Sequence, residues 1–155
     1  MKLKNLFFIV VLLVSGCSST PPLNVDNDFW FGELTRTGSS GVAFAGFGFE
    51  QTGSEIKAAL AVSDGTQTVT CCVLTGSLNG RELEASFVEA NNDSVTVSGT
   101  FSSDTSFAGT LRFIVEGKTD EYNLQMSYES ELDAALMSSF ARTSSGIKRI
   151  KGLLE

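Results

Sequence analysis

Residues Glu55–Ser63, EIKAALAVS, followed by Asp64-Gly65, decide the fold. Ile56, Ala58, Leu60 and Val62 fall on every second position, with Glu55, Lys57 and Ser63 opposite them. An extended chain with that alternation has one dry face and one wet face, as in an antiparallel sheet. Asp64-Gly65 then closes a hairpin. Downstream, Val69, Cys71 and Val73 alternate with Thr68, Thr70, Cys72 and Leu74, and Asn79-Gly80 marks a tight turn. Leu83, Ala85 and Phe87 oppose Glu82, Glu84 and Ser86. Val95, Val97 and Phe101 oppose Ser94, Thr96, Ser98 and Thr100. Phe107, Leu111, Phe113 and Val115 oppose Thr110, Arg112 and Glu116, and Tyr122, Leu124, Met126 and Tyr128 complete the series. Upstream, Phe29–Arg36 and Val42–Glu50 belong to the same pattern, with one irregularity: Phe44 differs in parity from Phe47 and Phe49. A β-bulge near Gly46 would return the three rings to one face, because one extra residue resets the alternation. The competing reading is a strand buried on both faces.

Eight strands joined by short links, with no helical crossover among them, predict an all-β fold: an eight-stranded antiparallel up-and-down barrel, which leaves no sheet edge exposed. Over about Phe29 to Tyr128 this resembles the lipocalin-like and avidin-like barrels in architecture. Lipocalins carry Gly-x-Trp in the first strand; this chain has Phe29-Trp30-Phe31-Gly32, with the glycine after the tryptophan. A β-sandwich is the alternative. A membrane-spanning barrel would show aromatic girdles at both interfaces, and the apolar set has no regular girdles. After Tyr128 the period becomes helical. Ser130 and Asp133 make a capping box ahead of Leu132, Leu136 and Phe140, Ser144-Ser145-Gly146 interrupts, and Ile147, Ile150 and Leu154 follow. The expected docking patch for the first helical run is Cys72, Leu74, Val88 and Ile114, apolar residues of outward parity.

The N-terminus carries a different message. Lys2 and Lys4 precede the apolar run Leu6–Val14, the length of a signal-peptide core and well short of the roughly 20 residues a spanning helix needs. It ends in Leu12-Leu13-Val14-Ser15-Gly16-Cys17, which resembles the bacterial lipoprotein lipobox, with Val14 where Leu is usual. The resemblance implies a signal peptide over residues 1–16, cleavage after Gly16 and acylation of Cys17. Ser18, in the position where Asp would imply inner-membrane retention, implies an outer-membrane address, with the domain facing the periplasm. Several acyl chains on one cysteine anchor a protein without a spanning helix. Residues 17–28, polar and Pro-containing, then read as a lipidated tether, and 29–155 as one domain comprising the barrel and a helical tail from about 130.

Composition limits the chemistry. The chain has 155 residues, 18 acidic and 11 basic side chains and no histidine. Without histidine there is no Ser-His or Cys-His nucleophile pair and no His-ligated zinc. Removing Lys2 and Lys4 takes the formal charge from -7 to -9, which disfavours a nucleic-acid partner. Glu82 and Glu84 share a wet face, and Asn91-Asn92-Asp93 and Ser102-Ser103-Asp104 read as turns. No catalytic residue, metal site or cofactor is expected, and the protein reads as non-enzymatic. Cys71 and Cys72, as strand neighbours, should point to opposite faces, one inside and one under the helix, unbonded to each other; an intermolecular disulfide through Cys72 is the alternative. An eight-stranded barrel is just wide enough to be filled by side chains or to hold one small ligand. If it holds a small apolar molecule or lipid, Trp30, Phe87, Phe101, Phe113 and Tyr122 are the candidate lining. The alternative function is a structural or interaction module that docks on a cell-envelope complex or an exported protein. The basic run Lys148, Arg149 and Lys151 is the candidate contact for a membrane or partner, or else a helix end whose cations favour the dipole.

Overall fold

The computed structural model describes residues 22–36, 41–129 and 147–154. Eight strands follow in order: β1 (Phe29–Arg36), β2 (Val42–Thr52), β3 (Glu55–Ser63), β4 (Thr68–Asn79), β5 (Glu82–Val88), β6 (Ser94–Ser103), β7 (Ser106–Val115) and β8 (Lys118–Tyr128). Among the described residues one helix, α1 (Ile147–Leu154), comes last. Each strand pairs antiparallel with its neighbour, and β1 pairs with β8 from Trp30↔Tyr128 to Arg36↔Tyr122. The sheet is therefore a closed barrel and not a sandwich. Signal peptide, lipobox, Cys17 and the helical run expected from Ser130 lie outside the described residues.

The apolar set faces inward. Trp30, Phe47, Phe49, Phe101, Phe113 and Leu111 are among the residues buried on the barrel axis. The outward residues of β5 and β6 are Glu, Ser and Thr, with Val88 at the end of β5, and that is no lipid-facing band. Among the described residues no helix is long and apolar enough to cross a membrane.

Two expectations about alternation are corrected. In β2 there is no bulge at Gly46; its register with β1 and β3 runs unbroken, and Ala45 to Phe49 are buried on both faces. Phe47 and Phe49 point inward while Phe44 lies outside, stacked on Phe31 with centroids 5.6 Å apart. Glycine makes this possible: a side-chain carbon on Gly46 would lie 2.7 Å from the Phe29 ring, which occupies that space. In β4 the opposite holds. The register with β3 jumps from Leu60↔Cys72 to Ala61↔Thr70, so Cys71 is an extra residue in a β-bulge. After the bulge Leu74 and Leu78 point inward and Val73 outward, the reverse of plain alternation. Leu74 therefore belongs to the core, not to an outer docking patch. Of the other patch residues, Val88 is exposed, and Ile114 and Cys72 are half-buried.

Candidate functional site

Sequence reasoning left the barrel axis either filled or hollow. Trp30, Phe101, Phe113 and Tyr122 do face inward, and Phe87 is half-buried at the edge of the core. They meet one another rather than a space: Trp30 packs edge-on to Phe101 at 4.8 Å, Phe101 to Phe107 at 4.9 Å and Phe113 to Tyr122 at 5.9 Å. The room that inward Gly99 and Gly109 might have left is taken by the Phe107 ring, which a side-chain carbon at either position would meet at 2.6 and 2.8 Å. These rings supply the core, and truncating one such ring to alanine typically costs about 3–5 kcal/mol.

Among the described residues both mouths are covered in part, and a recess of about 170 Å³ lined by Leu34, Tyr122, Leu153 and Leu154 remains beside the C-terminal helix. At the mouth where β1 begins, Leu23 and Val25 are buried, so the folded side of the expected tether is part of the barrel. Val25 N donates to Gln51 Oε1 at 2.9 Å, Asn27 N to Phe49 O at 2.9 Å and Phe49 N to Asp28 O at 3.0 Å. Asp28 has its carboxyl pushed above the ordinary carboxylate range, chiefly by burial and then by the nearby Asp26 charge. At the opposite mouth α1 inserts Ile147 and Ile150, both fully buried, while Leu153 and Leu154 pack against the core. Ile147 N donates to Glu89 Oε1 at 2.8 Å, Lys148 Nζ to Glu116 Oε1 at 2.7 Å, and Lys151 pairs with Asp120 at 3.0 Å. Asp120 also pairs with Arg36, so it is a shared anchor. The Lys148 ammonium holds the Glu116 carboxyl below its ordinary range, and Glu116 raises Lys148 in return, in each case first through their hydrogen bond. Two of the three cations in the basic run are thus engaged by the barrel rim. Buried Asp93 ties the neighbouring turns together, accepting from Glu116 N at 2.9 Å and from Asn91 Nδ2 at 2.9 Å.

A concave apolar surface lies on the outer wall. A recess of about 320 Å³ opens across β1, β2 and β3, lined by Phe29, Phe31, Phe44, Gly46, Ala61 and Val62 along its length. Polar groups gather at one end, around Ser63, Gly65 and Thr68. There Asp64 accepts hydrogen bonds from Gln67 N, Thr66 Oγ1 and Thr66 N, which hold its carboxyl below the ordinary range and fix the turn. Sequence reasoning missed this site because it depends on strand register: Phe31 meets Gly46 across one pairing, and Gly46 meets Ala61 across the next. Phe29 and Phe31, apolar on the parity opposite Trp30, were the available signal.

Cys71 and Cys72, expected to be unbonded, are joined in a disulfide. The bulge explains it: two residues opposing one no longer alternate strictly across the sheet. Among the described residues no group of three or more His, Cys, Asp or Glu side chains could hold a metal ion.

No family model matches the chain, and neither does any curated protein. Among solved structures it is similar to the siderocalin Ex-FABP, described as functioning through dual ligand specificities. That likeness has a TM-score of 0.43 at 12% identity and covers 83% of this chain and 87% of that one. What the fold and site define is a closed eight-stranded up-and-down barrel with a packed axis and an apolar recess in its wall.

Proposed function

We propose that the protein is a non-enzymatic lipoprotein, anchored to the outer membrane through acylated Cys17 and facing the periplasm, that binds a small apolar ligand or lipid in the wall recess. The observation that supports this most is the recess itself, whose volume of about 320 Å³ falls at the lower end of small-molecule sites, roughly 300–1,000 Å³. Its apolar length, formed by the Phe31–Phe44 stack and Ala61, suits an aliphatic or aromatic body. The polar end at Thr68 suits a head group, so the ligand is amphipathic, with one short polar terminus. Trp30, Phe101 and Phe113 serve this reading as the rigid scaffold behind the wall. Arg149, exposed on α1, remains a point of contact for an anionic surface.

The second reading, an interaction module for an envelope protein, draws on the same packed axis, which leaves recognition to the outer surface. A fluorescent apolar probe displaced by long-chain fatty acids tests the first reading. Phe31→Ala with Phe44→Ala should weaken probe binding about tenfold or more, equivalent to about 1.4 kcal/mol or more, with the barrel still folded. Unchanged binding, or no binding by the parent chain, contradicts it; native mass spectrometry that recovers a protein and no small molecule favours the second reading.

A further inference from the structure

The disulfide between Cys71 and Cys72 closes no loop, because the two residues are adjacent. A cross-link stabilises chiefly by restricting the unfolded chain, and one between neighbours restricts almost nothing. Its place in the fold therefore calls for another account. The bulge that holds it is required by the hydrophobic pattern alone. Val69 and Cys71 point inward on odd positions and Leu74 and Leu78 on even ones, so the alternation must reset between Cys71 and Leu74 whether or not the sulfurs are bonded. Breaking the S–S bond leaves that requirement intact, and the two sulfurs stay together.

Access is unequal. Cys71 is 6% exposed and belongs to the core, whereas Cys72 is half-buried at its edge. The greater exposure of Cys72 favours it as the point of attack by a thiolate.

We propose that Cys71 and Cys72 form a reversible redox site, a two-electron dithiol/disulfide couple that exchanges with small dithiols and disulfides through Cys72 while the barrel stays folded. In the reducing direction, one thiolate of a dithiol attacks Cys72 Sγ. The Cys71–Cys72 bond breaks, a mixed disulfide forms on Cys72, and Cys71 leaves as a thiolate that takes a proton. The second thiol of the reductant then attacks its own sulfur in the mixed disulfide and releases Cys72 as a thiol. Two electrons and two protons pass to the pair, and the reductant ends as its cyclic disulfide. Oxidised glutathione drives the reverse, ending as two molecules of the reduced tripeptide. The site is independent of the lipid-binding reading.

The test uses the full chain carrying Cys17→Ser, so that only Cys71 and Cys72 can take label, first treated with oxidised glutathione. Without denaturant it should take no iodoacetamide. After dithiothreitol it should take one label without denaturant, on Cys72, and a second only in denaturant, on Cys71. Trp30 emission and near-ultraviolet circular dichroism of the reduced chain should be unchanged, and re-oxidation of unlabelled chain should restore an unlabelled monomer. The reduced chain should bind phenylarsine oxide, which bridges paired thiols, and Cys72→Ser should abolish that binding and leave one thiol, Cys71, that takes label only in denaturant. Two labels before reduction, labelling only in denaturant, loss of the native spectra on reduction, or a disulfide-linked dimer on re-oxidation would each overturn the proposal.

Discussion

At one mouth of the barrel the chain closes the opening with its own backbone, while at the other it uses charged side chains around a buried apolar plug. The segment Leu23–Asp28 extends the hydrogen-bonding of β2 through Asn27 N→Phe49 O and Phe49 N→Asp28 O, and the Gln51 amide serves both Val25 and, at 3.4 Å, Leu23. Helix α1 seats Ile147 and Ile150 and is held at its rim by Glu89, Glu116 and Asp120. The contrast shows how one fold combines two sensitivities. The first closure rests mainly on amide and carbonyl groups, which do not titrate, with one carboxylate contact from Gln51 N to Asp26 Oδ1 at 3.0 Å. At the second, the exposed Lys148–Glu116 pair is screened by salt and lost when the carboxylate is protonated.

The largest effect expected is at the helix. Ile150→Ala should cost about 2–5 kcal/mol in chemical denaturation, because it empties a fully buried position, and it should speed amide exchange in α1 but not at Val25 or Asn27. A smaller effect belongs to the other mouth. Gln51→Ala leaves the part-buried Val25 N–H without its acceptor and should cost about 1–3 kcal/mol, with exchange changes confined to residues 23–28. Equal responses at both mouths would dissolve the distinction.

The smallest effect is the most discriminating. Glu116 titrates below its ordinary value in the folded chain, so its contribution is present above that ordinary value and is lost as pH falls through the folded one. Lys148 titrates above its ordinary value, so its contribution is complete below that value and is lost only as pH rises through the raised one. Asp28 has the opposite sign to Glu116: its raised value favours the fold at low pH, a contribution lost as pH rises through it. Acidification from neutral through the carboxylate range should therefore loosen α1 and slightly tighten the Asp28 end, as read by residue-level amide exchange. Glu116→Gln should remove most of the helix response and leave the Asp28 response unchanged. High salt should mimic acid at α1 only.

The comparison also separates what the sequence expressed from what it hid. All eight strands were legible from short apolar–polar runs between turn residues, even though β2 is buried on both faces and β4 resets its alternation, and so was the apolar run Ile147, Ile150 and Leu154. The Cys71–Cys72 bulge was hidden by following alternation straight through Val73; Leu74 and Leu78, apolar on the other parity, were the evidence of a reset. Leu23 and Val25, two apolar residues in a polar stretch, signalled the segment that closes the first mouth. The packed axis followed from ring sizes that only the three-dimensional arrangement could sum, notably Phe107 over Gly99 and Gly109. The recess needed the register of β1, β2 and β3 together, and no single strand carries that.

The central claim is that an apolar ligand meets the wall and not the axis. Chemical-shift mapping of the isotopically labelled protein during titration with a long-chain fatty acid tests it most directly. The account predicts shifts concentrated at Phe31, Phe44, Gly46 and Ala61, with the Trp30 indole and Leu111 unmoved; shifts centred on Trp30, Phe101 and Leu111 would contradict it.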